Sequence, residues 1–97
     1  MDANEVADLG SAVFAPAPQV SWRDAPGELA LFDARAETYH VLNPSAAGIW
    51  RLLAAGSSPD EAVAELCERF EADPEQVAAD VRELVVSLLE RGLLVRQ

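Results

Sequence analysis

Three dipeptides constrain this chain more than any other feature: Asn43-Pro44, Ser58-Pro59 and Asp73-Pro74. Each joins a side-chain oxygen that can cap the orphan N–H groups of a helix to a proline, which is tolerated in a first helical turn but not further in. Three helices must therefore start at fixed places in the second half of the chain. Ser58-Pro-Asp-Glu61 extends to a capping box, and Asp73-Pro-Glu-Gln76 is a looser version of one. Gly56 and Gly92 stand where the first and third helices should end. The expected helices run from Pro44 to about Ala55, Pro59 to Phe70 and Pro74 to Arg91. They differ in length and pattern, so the 15-residue spacing of the prolines marks no internal repeat.

Helical spacing puts Ala46, Ile49, Trp50 and Leu53 on the inner face of the first helix. On the second it puts Val63, Leu66, Cys67 and Phe70 inside, with Glu61, Glu65, Glu68 and Arg69 outside. At about 100° per residue, the third helix gathers Val77, Val81, Leu84 and Leu88 into a stripe that suffices for a core. Ala78, Val85 and Leu89 widen the apolar arc on one side, with Arg82 at its rim and Asp80 on the opposite flank, read as structural. This shoulder either packs beneath a sheet or lines a groove for an extended peptide.

Upstream, short β-rich runs are separated by turn residues. Val20–Arg23 reads as a strand closed by Asp24-Ala25-Pro26-Gly27. Glu28–Asp33 alternates Leu29, Leu31 and Asp33 with Ala30 and Phe32, and after the turn Ala34–Glu37 comes Thr38–Leu42. A three-stranded antiparallel meander followed by three helices, an α+β arrangement, is the simplest reading. Residues 1–18, small and polar with Ala-Pro-Ala-Pro at their end, read as a flexible tail ahead of one folded domain over residues 19–97.

Composition limits function. Of the 97 residues, seventeen are acidic and seven basic, all of these Arg, for a net charge of −10. Such a surface repels phosphate backbones, so nucleic acid is a poor partner. The single cysteine, Cys67, fits a reducing compartment and reads as a packed thiol. No basic segment leads into an apolar run, and no run approaches the roughly 20 residues that span a bilayer, so a soluble, cytoplasmic protein is expected. Catalysis has no visible constellation: one histidine, His40, one cysteine in another element, and none of the common metal or phosphate motifs. No cofactor or metal is expected. Ser45 and Ser58 lack the Asp-Ser-Leu-like context of an acyl carrier.

The run LFDARAETYHVLNPSAAGIW, Leu31 to Trp50, resembles the strand–turn–strand–helix signature of PqqD-like proteins, the RiPP recognition elements. The resemblance continues through GSSPDEAV from Gly56, LCERF from Leu66, ADVRELV from Ala79 and ERGLL from Glu90, covering about Val20 to Val95. One departure is Glu37, where many relatives carry Gly.

The resemblance implies a winged-helix-like domain without activity of its own. Such domains bind the leader of a ribosomally made precursor peptide and deliver it to a modifying enzyme. For a chain of this size the enzyme would be a leader peptidase in a lasso-peptide system or a radical-SAM enzyme. The leader would add as an antiparallel strand to Thr38, Tyr39, His40, Val41 and Leu42 and lie against Ala78, Val81, Arg82, Val85 and Leu89 of the third helix. Alternation places Tyr39 and Val41 on one face and His40 and Leu42 on the other, and pattern does not say which face meets the guest. A winged-helix DNA-binding regulator and a non-catalytic structural subunit are the alternatives; the acidic helices argue against the first. An open edge strand also admits a dimer, so monomer or edge-strand dimer is expected.

Overall fold

Each cap–proline pair starts a helix where the sequence puts it. The computed structural model describes residues 9–97. In chain order its elements are β1 (Phe14–Pro16), β2 (Val20–Ala25), β3 (Glu28–Asp33), β4 (Thr38–Leu42), α1 (Pro44–Ala54), α2 (Pro59–Phe70), α3 (Pro74–Glu90) and β5 (Leu94–Arg96). Asn43 Oδ1 accepts the Ala46 N–H at 2.8 Å. Ser58 and Glu61 close a reciprocal box: Ser58 Oγ accepts the Glu61 N–H at 3.2 Å and Glu61 Oε1 accepts the Ser58 N–H at 2.8 Å. The looser box fails. Asp73 caps through the Glu75 N–H, while Gln76 turns outward and donates to Asp80 Oδ1 at 2.9 Å.

Helices α1 and α3 stop in the same way. Gly56 and Gly92 have φ of 107° and 71°, a region that only glycine enters without cost. The reversal this permits lets Ser57 and Leu93 donate back to Leu52 and Leu88, satisfying carbonyls the helix would otherwise leave unpaired. Helix α2 ends instead on Glu71, a non-glycine residue at φ 50°.

The meander forms as expected, with strand order β2-β3-β4 and both pairs antiparallel. Strand β2 runs two residues further than expected, to Ala25, so Pro26 and Gly27 alone turn the chain. Asp33, almost fully buried, closes the second turn by accepting the N–H groups of Arg35 and Ala36 at 3.0 and 3.3 Å. The register aligns Trp22, Leu31 and His40 on the face toward the helices, with Leu29 opposite Leu42. Ser21, Phe32 and Tyr39 share the other face, as do Arg23, Ala30 and Val41. Leu29, Leu31, Trp50, Leu53, Val85 and Leu93 are completely buried between sheet and helices, and Trp22 meets Trp50 edge-on at 5.4 Å.

The expected tail needs correction from residue 9 onward; residues 1–8 lie outside the described residues. Phe14–Pro16 pairs antiparallel with Leu94–Arg96, making a second, two-stranded sheet. Ala17 N–H to Leu93 O and Gln97 N–H to Val13 O extend that ladder. Leu9, Ala12, Phe14 and Ala17 belong to the core, with Phe14 only 1% exposed. Of the Ala-Pro-Ala-Pro run, Ala15-Pro16 is extended and finds a partner strand, while Pro18 and Gln19 turn the chain, closed by the Val20 N–H donating to Ala17 O at 2.9 Å. Two smaller expectations also shift: Ala47 and not Ala46 is the buried alanine of α1, and Phe70 is 66% exposed.

Candidate functional site

Strand β4 is an edge of its sheet, so alternate residues direct backbone N–H and C=O groups away from β3. The opposite edge, β2, carries Arg23 and Asp24, charges that discourage a further strand, and Asp24 is engaged by Arg51 of α1. Strand β4 has no such guard. Tyr39 and Val41, 73% and 63% exposed, stand on the sheet face turned away from the helices, where Tyr39 packs on Phe32 with ring centroids 4.8 Å apart. His40 is half-buried and Leu42 buried on the inner face. His40 and Leu42 thus look inward, and Tyr39 and Val41 outward.

What lies inward of β4 is a cleft against one flank of α3. At one end, Asn43, Ser45, Ala46 and Ile49 from the β4–α1 junction face Asp80, Glu83 and Leu84 of α3 across a depression. At the other end, Arg91 Nη1 comes within 3.4 Å of His40 Nδ1, while His40 Nε2 is 3.3 Å from Thr38 Oγ1. Asp80, Leu84, Ser87 and Arg91 are spaced by four, three and four residues, which keeps them on one stripe of the helix. That stripe, and not the shoulder, faces the edge strand.

The expected helix residues divide accordingly. Val81 and Val85 are 1% and 0% exposed and sit in the core, so neither is a groove contact. Leu89 is half-buried and packs against the core, and Ala78 and Arg82 are exposed. The physical reason is rotation. The centre of the apolar arc, Val81 to Val85 to Leu88, points into the core, so both margins of the arc are rims, and the margin beside β4 is the one carrying Asp80. Asp80, read as structural, lines the cleft instead. Glu83, Leu84 and Arg91 were not singled out as site residues. The helical wheel places Leu84 and Arg91 together with Asp80, and Glu83 further round, but nothing in the wheel says which margin adjoins β4.

The depression shares Ser45, Ile49 and Asp80 with a larger hollow of about 510 Å³ among the three helices, floored by Gly48, Leu66 and Val77 and flanked by exposed Phe70. Phe70, expected in the core, therefore forms part of a concave surface. Arg69 at its margin is held by Glu65 at 2.8 Å. Among the described residues no group of three His, Cys, Asp or Glu side chains could hold a metal ion, and no helix is long and apolar enough to cross a membrane.

A three-stranded sheet with one unguarded edge, backed by three helices and opening onto a cleft with the last of them, defines a winged-helix-like α+β domain. Residues 28–94 match the family described as coenzyme PQQ synthesis protein D (PqqD), and the chain belongs to that family. Two solved structures share the fold. A lasso peptide synthetase B1 complexed with its leader peptide is 31% identical, with a TM-score of 0.79 over 87% of this chain and 99% of that one. TbiB1 in complex with the TbiA(beta) leader peptide is 28% identical, with a TM-score of 0.77 over 82% of this chain and 93% of that one. Comparison with curated protein sequences gives no match.

Proposed function

We propose that this chain binds the leader segment of a ribosomally synthesised precursor peptide and presents it to a separate enzyme, without chemistry of its own. The observation that carries the reading is the open edge of β4 beside the α3 cleft, in a fold shared with two proteins solved as leader-peptide complexes. The leader adds antiparallel to Thr38–Leu42. Its backbone takes up the free N–H and C=O groups of β4, while alternate side chains enter the cleft beside His40, Leu42 and Leu84 or lie outside beside Tyr39 and Val41. Residues of the leader beyond the Leu42 end have the hollow around Phe70 and Val77 to occupy. That one leader-bound neighbour is a lasso peptide synthetase B1 favours a leader peptidase of such a system, over a radical-SAM enzyme, as the enzyme served.

The mechanism is positional. Main-chain bonds give affinity for any extended peptide, the cleft selects among side chains, and the bound leader becomes part of the surface an enzyme meets. The test is titration of the protein with the leader of the precursor peptide encoded beside it, followed by singly N-methylated versions of that leader. N-methylation removes one backbone donor and crowds the strand edge, so affinity should fall at alternate positions over the paired segment. No binding at micromolar leader would refute the reading. A loss without two-residue periodicity would refute strand addition.

A DNA-binding role is poorly supported, because the exposed faces of α2 and α3 carry Glu61, Glu65, Glu68, Asp80 and Glu83.

A further inference from the structure

Main-chain pairing along β4 is indifferent to register: a guest strand displaced by two residues makes the same kind of ladder. Something in the side chains must fix where the guest stops. The cleft carries opposite charges at its two ends. At the Leu42 end, Asp80 and Glu83 line the wall. At the other end stands Arg91, the residue capping the C-terminus of α3. The two ends are eleven residues apart on the helix, a separation of about 16 Å at 1.5 Å per residue, which is five residues or so of a guest strand.

Arg91 is both placed and unspent. The ion pairs among the described residues are Arg51 with Asp24 and Arg69 with Glu65, so Arg91 has no carboxylate partner among them. Its one side-chain hydrogen bond among the described residues is with His40 Nδ1. The guanidinium donates to Nδ1, leaving Nε2 beside Thr38 Oγ1. The ring thus props the guanidinium across the gap between helix and edge strand without supplying a carboxylate to satisfy it. Four of the five guanidinium donors have no hydrogen-bond partner among the described residues.

We propose that Arg91, propped by His40, is the register pin of this cleft, receiving an acidic side chain of the guest peptide, and that Asp80 and Glu83 repel that side chain if the guest slips toward the Leu42 end. The proposal rests on the leader-binding reading above and adds the chemistry of the ligand: an extended peptide with a carboxylate over the last turn of α3. Because the rest of the surface is strongly negative, an acidic residue is tolerated at one end of the cleft and nowhere else along it.

The test is a charge-swap cycle on the full chain. Each acidic residue of the leader is replaced in turn by Lys, and every peptide is titrated against the wild-type protein and Arg91→Glu. One position should lose about fivefold or more in affinity for the wild type and regain most of it with Arg91→Glu, the scale of a charge pair at the rim of an interface. Arg91 is exposed, so both proteins should melt at similar temperatures. Should Arg91→Glu not fold, Arg91→Gln serves instead: its leader affinity should depend less on salt than that of the wild type. If the unmodified leader binds but no position is rescued, or Arg91→Gln leaves the salt dependence unchanged, the register pin is wrong while leader binding stands. If the unmodified leader does not bind, the underlying reading has failed instead.

Discussion

Glu37 stands at φ 55° in the turn between β3 and β4. For an L residue with a Cβ this left-handed region carries a steric cost that glycine escapes. It is the position where the family resemblance led us to expect Gly, so the departure noted in the sequence has a measurable consequence. Glu37→Gly should stabilise the protein by about 0.5–1 kcal/mol, once the greater freedom of glycine in the unfolded chain is set against the relieved strain; equilibrium urea unfolding would show it. Glu61 carries a second residue-scale effect. The Ser58 N–H, and then the Ser58 side chain, hold its carboxyl below the usual carboxylate range. A folded-state value below the unfolded one means that this contribution is present above the ordinary carboxylate pKa and is lost as pH falls through the lowered value. Between about pH 5 and pH 3, the melting temperature of Glu61→Gln should therefore fall less steeply than that of the wild type. Parallel curves would show the box to be energetically silent.

At the scale of elements, what could be read from the sequence was whatever is written locally. The starts of α1, α2 and α3 lie in three dipeptides, and the turn Ala34–Glu37 and the strands beside it follow from alternation over a few residues. Strand β1 could not be read in this way. Its partner is β5, 82 positions away from Phe14, and three residues containing a proline carry no strand signal of their own. Phe14→Ala should accordingly destabilise the fold by about 3–5 kcal/mol, as for a buried aromatic and not a tail residue, and thermal denaturation measures this directly. The cleft was half legible for a related reason. Strand β4 announces itself through Tyr39-His-Val-Leu42, but the flank of α3 that adjoins it depends on how the helix is rotated in the assembled core. Val85→Glu would bury an unpaired charge and should abolish cooperative unfolding, whereas Leu84→Ser, at the cleft wall, should weaken leader binding several-fold and cost about 1 kcal/mol or less of stability.

Over the whole molecule, a radius of gyration of 13.0 Å is that of a single domain of about 100 residues, so the two sheets and three helices share one interior. The net charge of −10 opposes a phosphate backbone. A labelled DNA duplex should show no anisotropy change with this protein at ~100 mM salt, and a signal that weakened steeply as salt rose would revive the regulator alternative. The joining of β1 to β5 has a further consequence, which concerns time. A ribosome makes Phe14 early and Leu94 to Arg96 about eighty residues later, so throughout that interval the first strand has no partner and its aromatic ring no shelter. The unit from β2 through α3 can assemble beforehand, since its contacts are closer in sequence. Closure by the two outer strands comes last in synthesis, and the same seam should be the first to open in the finished protein.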